Sequence, residues 1–137
     1  MERRDLIQKQ IDQLGKALAG LLSRLLNLKS QEEVSSAIMG ADQGIKDELN
    51  LSVEEILQIL PNDLIDILKG EKNISNENLD KLAELLFTIA GMKQAIGENS
   101  DKLFKQCLTI YEYLEKVETT YSYERRQRIE RIKSFLS

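Results

Sequence analysis

The sequence predicts an all-α protein, a set of antiparallel helical hairpins stacked as a short, tetratricopeptide-like right-handed superhelix. Three observations predict it. Apolar residues recur every three or four positions over most of the chain, and no segment alternates as a half-buried strand would. Proline occurs once, at Pro61, and Leu, Glu, Lys and Ile are abundant, so local preference favours helix throughout. Helix-start signals punctuate the periodic segments: Ser30, Ser52 and Ser75 each precede an apolar run, and the first two have Glu three residues on.

The first helix carries Ile7, Ile11, Leu14, Leu18, Leu21, Leu25 and Leu28 in a 4-3-4-3-4-3 spacing, which keeps one continuous apolar seam. Leu22 and Leu26 widen the seam, so this helix is expected to pack against more than one neighbour. Ser30 and Glu33 form a capping box for a second helix with Val34, Ile38, Ala41, Ile45 and Leu49 inward. Gly40 and Gly44 each cost about 1 kcal/mol relative to Ala inside a helix. Close approach of the first two helices would explain them.

Ser52 and Glu55 repeat the capping box, with Leu51 and Ile56 as the hydrophobic staple of a short third helix. Pro61 drives Leu60 out of the helical region and breaks the chain there. A fourth helix carries Leu64, Ile65, Ile67 and Leu68 and is expected to stop at Gly70. Ser75 caps a fifth helix with Leu79, Leu82, Leu86, Ile89 and Met92 on one face, ending at Gly97. The sixth turns Leu103, Cys107, Ile110, Leu114 and Val117 inward. A last helix, capped by Ser122, turns in Ile129, Ile132 and Leu136, with Phe135 widening that face.

Two hairpins resemble tetratricopeptide units. One spans Leu79 to Val117, with Leu82-Ala83-Glu84-Leu85-Leu86, the turn Gly97-Glu98, and Leu103, Cys107 and Ile110 as its pattern positions; the other pairs the first two helices. With its basic opening Arg3-Arg4-Asp5-Leu6-Ile7 and the segment Leu51 to Leu57, most of 1–117 is similar to a family of small uncharacterised bacterial proteins of tetratricopeptide-like fold. That resemblance implies an architecture and carries no catalytic residues.

Composition narrows the chemistry. The chain has no His, which removes the commonest general acid–base and zinc ligand, and its single Cys107 excludes an internal disulfide. Asp63 with Asp66, and Asp42 with Glu48, are read as solvated acids, because the Glu-x-x-His motifs of a bundle metal site are absent. No catalytic, cofactor or metal residues are assigned, and the chain is read as no enzyme. No apolar run is long enough to span a bilayer and no export signal is visible, so one domain in the cytoplasm is expected.

The net charge of −4 is uneven. Residues 1–30 hold six Lys and Arg against three acids, 31–101 five against fifteen, and 102–137 eight against five. The expected function is a protein–protein interaction or scaffold module of unknown partner. Lys93, Asn99 and Tyr113 are candidate liners of a peptide groove. Tyr121, Tyr123, Arg125, Arg126, Arg128 and Arg131 form a second candidate surface, of residue types common at binding hot spots. The alternative is a nucleic-acid-associated regulator using the basic ends, against which the acidic middle argues. A homodimer through the first helix or the tyrosine-rich end is left open.

Overall fold

The computed structural model describes residues 3–28 and 33–136, and among them every regular element is helical. Helices α1 (Arg3–Leu26), α2 (Val34–Leu49), α3 (Val53–Gln58) and α4 (Pro61–Ile65) come first. A π-helical turn, Asp66–Glu71, extends α4. Helices α5 (Asn76–Ala95), α6 (Asp101–Val117) and α7 (Tyr123–Leu136) follow. The expected capping box before α2 falls on Ser30, outside the described residues.

Helix α5 is the centre. It packs against α1 and α2 on one side and α6 on the other, while α6 also receives α3, α4 and α7. Leu79, Leu82, Ala83, Leu85, Leu86, Ile89 and Ala90 of α5 are all buried. The inward face of this helix is therefore broader than the single stripe expected, wide enough to meet helices on two flanks, while Glu77, Asp80, Lys81 and Glu84 keep the remaining side polar. In α6, Leu103, Phe104, Cys107, Ile110, Tyr111 and Leu114 are buried, and burial pushes the Cys107 thiol and the Tyr111 phenol up from their ordinary pKa values. Val117, expected inside, is exposed, because the chain leaves the helix at Glu118 in an extended conformation.

Local signals set several boundaries. The Ser52 hydroxyl accepts from the Glu55 N–H, and the Glu55 carboxylate accepts from the Ser52 N–H, both at 3.0 Å. Leu51 and Ile56 are buried as the staple requires. Ser75 Oγ accepts from the Asn78 N–H and Ser122 Oγ from the Arg125 N–H. At the Pro61 break Leu60 is extended. Pro61 has no N–H to donate back into α3, and beside the Ile59 N–H that reaches Ile56 O, α6 adds donors to the carbonyls at this end. The Gln106 amide donates to Ile56 O at 2.7 Å and to Ile59 O at 2.8 Å.

Two expectations change. Gly70 does not stop α4; it lies inside the π turn. The left-handed residue is Asn73 at φ +55°, after which the Ile74 N–H donates to Leu68 O. Asn shares glycine's tolerance for that region, so the stop comes three residues later than Gly70 suggests. The two α2 glycines also differ. A Cβ at Gly44 would stand 2.5 Å from Leu21 Cδ2 of α1, whereas one at Gly40 would meet nothing within 4 Å. Only Gly44 permits the close approach of α1 and α2.

Gly44→Ala is therefore expected to destabilise the fold by about 1–2 kcal/mol, because Leu21 must leave its packed position. Gly40→Ala should stabilise it by about 0.5–1 kcal/mol. Urea unfolding of the two variants checks the opposite signs. The Ser52 backbone N–H, then Lys46 and the Ser52 hydroxyl, hold the Glu55 carboxyl down at about 2 instead of 4.5. Its contribution to stability is thus complete above pH 4.5 and fades as pH falls toward 2. The difference in urea midpoint between wild type and Glu55→Gln should be constant above that window and shrink within it.

Candidate functional site

The arginine-rich helix α7 is turned inward. Arg125 has only 5% of its side chain exposed, and its guanidinium reaches three carboxylates: Asp80 at 3.4 Å, Glu115 at 3.4 Å and Glu118 at 3.1 Å. Arg126 pairs with Glu115 at 3.6 Å and Arg128 with Glu84 at 3.1 Å. Arg131 lies over the rings of Phe87 and Phe135, at 5.6 and 6.0 Å from their centroids. Phe104 of α6 touches both those rings, at 5.9 Å and 4.9 Å. Arg125, Arg126 and Arg128 thus tie α7 onto an acidic edge of α5 and α6, and Arg131 covers an aromatic one. Arg125 is not a surface residue. It continues the seam of Ile129, Ile132 and Leu136 one turn toward the N-terminus, and that spacing is the signal that it faces inward. Tyr121 and Tyr123 remain outside, 69% and 63% exposed.

The other candidate liners separate. Lys93 and Asn99 share a cavity of about 410 Å³ with Leu57, Ser100, Asp101, Lys102 and Leu103. Asn99 Oδ1 is used there by its own turn, accepting from the Asp101 N–H at 2.9 Å. Lys93 also opposes the rise in the Asp42 pKa that burial causes. Tyr113 does not join them. It lies roughly 20 Å further along α6 and receives Lys69, whose Nζ is 6.0 Å from its ring centroid.

A larger concave surface lies elsewhere. The apolar seam of α1 is continuous in sequence but only its second half is core: Leu18, Leu21 and Leu25 are buried, while Leu6 and Ile7 are each 48% exposed. The cause is where α5 begins. Asn78, in the first turn of α5, donates from Nδ2 to Ile11 O at 2.9 Å, and a Cβ on Gly15 would meet Asn78 Oδ1 and Lys81 Nζ. Helix α1 therefore crosses α5 near Ile11 to Gly15 and runs on past its start.

Beyond that crossing a groove of about 870 Å³ opens between α1 and the turn joining α4 to α5. Leu6, Ile7, Ile11 and Leu14 supply one wall, and Lys69, Lys72 and Ile74 the other. Its charged liners among the described residues, Arg3, Lys69 and Lys72, are all cationic. Lys69 donates to Asn76 Oδ1 and Lys72 to Asn50 O, both neutral oxygens, so neither has a carboxylate partner among the described residues. The sequence reading missed this groove because its second wall depends on the π turn, which has no sequence signature. Among the described residues no cluster of His, Cys, Asp or Glu could hold a metal ion, and no helix is long and apolar enough to cross a membrane.

Arg125→Ala should cost about 2–3 kcal/mol, less than a wholly buried ion pair because its acids keep some water contact. Arg126→Ala, on an exposed pair, should cost under about 1 kcal/mol. Thermal unfolding distinguishes the two.

Compared with protein-family models, with curated proteins and with solved structures, the chain matches none of them.

Proposed function

We propose that this chain is a non-enzymatic interaction module that holds a segment of a partner protein against the N-terminal half of α1. One observation carries the reading. The apolar seam of α1 is buried at Leu18, Leu21 and Leu25 but left half open at Leu6 and Ile7, in a concave setting. Leaving large aliphatic side chains half in water forfeits burial energy, and contiguous exposed apolar surface of this kind marks binding sites.

In this reading the scaffold is a short tetratricopeptide-like stack akin to the small bacterial proteins noted above, working in the cytoplasm. Hairpins α1–α2 and α5–α6 are its two units. What supports the arrangement is that α5 packs against both helices of the first hairpin, as the leading helix of a following unit would. The nucleic-acid alternative loses its C-terminal half, since Arg125, Arg126 and Arg128 spend their charge on Asp80, Glu84, Glu115 and Glu118.

The test is a photo-crosslinking residue placed at position 7 in the native cells, with position 9, on the opposite side of α1, as control. A discrete hetero-adduct from position 7 and none from position 9 is expected. Adducts from neither, or equally from both, would overturn the proposal. Leu6→Asp with Ile7→Asp should abolish the interaction at a stability cost of under about 1 kcal/mol, whereas Leu18→Ala should cost about 2–5 kcal/mol.

A further inference from the structure

We infer that the occupant of the α1 groove is an acidic amphipathic helix of a partner protein, lying along α1 with its apolar face on Leu6, Ile7, Ile11 and Leu14. The inference rests on the groove being a binding site and adds the chemistry of what fills it.

Shape and length come first. The apolar liners of α1 fall at 6, 7, 11 and 14, an i, i+1, i+5, i+8 set that forms one stripe on a helix. The lined segment, Arg3 to Leu14, is roughly 17 Å long, about three helical turns. A helix presenting four anchors at i, i+3 or i+4, i+7 and i+11 spans about the same length, ~16 Å, and buries them in such a trough.

Charge selects among amphipathic helices. The groove's charged liners are Arg3 at one wall and Lys69 and Lys72 at the other. Ser75, also a liner, is the N-cap of the twenty-residue helix α5, so the positive end of that helix dipole adds to the same field. Glu77, the acid in the first turn of α5, is partly neutralised by Lys81 at 3.7 Å. A ligand helix with Glu or Asp flanking its apolar stripe meets these cations; one flanked by Lys or Arg is repelled.

The same field argues against a second copy. A two-fold contact through this face would bring Arg3, Lys69 and Lys72 of one protomer against the same residues of the other. The field would attract an anionic lipid surface as well; shape argues against one, because a bilayer covers convex faces and here the apolar stripe forms the wall of a trough.

The experiment uses the full chain and two synthetic helical peptides of roughly 14 residues, long enough to cover the lined segment. Both carry the same leucine stripe; one is flanked by Glu and the other by Lys. Binding is read by fluorescence anisotropy at low salt. The Glu peptide is expected to bind at least about tenfold more tightly than its Lys twin, as a few exposed ion pairs would give. Lys69→Glu with Lys72→Glu should remove or reverse that preference, and the milder Lys69→Gln with Lys72→Gln should reduce it with the fold intact by circular dichroism. Leu6→Asp with Ile7→Asp should abolish binding of both peptides.

If the Lys peptide binds as well as the Glu peptide and still needs Leu6 and Ile7, the groove stands as a binding site and the acidic occupant falls. If neither peptide binds, both readings fall. Glu-peptide binding that survives Leu6→Asp with Ile7→Asp would be surface attraction only and overturns the inference. So would a dimer by light scattering that Ile7→Asp dissolves, or co-sedimentation with phosphatidylglycerol vesicles that Ile7→Asp abolishes.

Discussion

Helix α5 buries a face nearly half its circumference wide, and that constraint organises everything around it. A twenty-residue helix with Leu79, Leu82, Leu85, Leu86 and Ile89 on one broad face, widened by Ala83 and Ala90, is stable only when more than one neighbour covers it. Helices α1 and α2 cover one side and α6 the other. Burying five such side chains stabilises the fold by about 1.5–3 kcal/mol each, more than any cap or surface ion pair supplies. The remaining helices attach to this sandwich by smaller, more directional interactions.

Those attachments share a device: a polar side chain from one helix reaches the backbone or charges of another where the local ladder is interrupted or the field uncompensated. Gln106 supplies donors to the α3 carbonyls near the Pro61 break. Asn78 reaches across to Ile11 O at the α1–α5 crossing, where Gly15 leaves room for it. Arg125 gathers Asp80, Glu115 and Glu118, three acids from α5 and the end of α6 that would otherwise repel one another. The middle segment's acidity is thus partly internal, spent against the basic C-terminal helix.

The crossing near Ile11 also bears on function. Because α5 starts there, the turns of α1 before it have the turn Lys69–Ser75 as their companion and no helix. Lys69, inside the π-helical turn, and Lys72, just after it, line one rim of the trough. The interaction surface proposed for this chain is therefore a consequence of where a capped helix begins, and its charge is a consequence of how the preceding one ends.

The division between what was readable in the sequence and what was not follows from range. The helical class, the Ser52–Glu55 box, the Ser75 and Ser122 caps, the break at Pro61 and the Gly97 turn rest on interactions between residues a few positions apart, so the sequence by itself determined them. The breadth of the buried face of α5, the acids that Arg125, Arg126 and Arg128 meet across the interface, and the opening at Leu6 and Ile7 were decided by the tertiary structure alone. Ile7, seven residues before Leu14 and fourteen before Leu21, satisfies the helical pattern whether or not another helix lies beside it, and an arginine in a polar run satisfies it whether or not an acid waits across the interface. Periodicity reports which residues can be buried together; only the placement of the neighbouring helices, set by contacts tens of residues apart, decides which of them are.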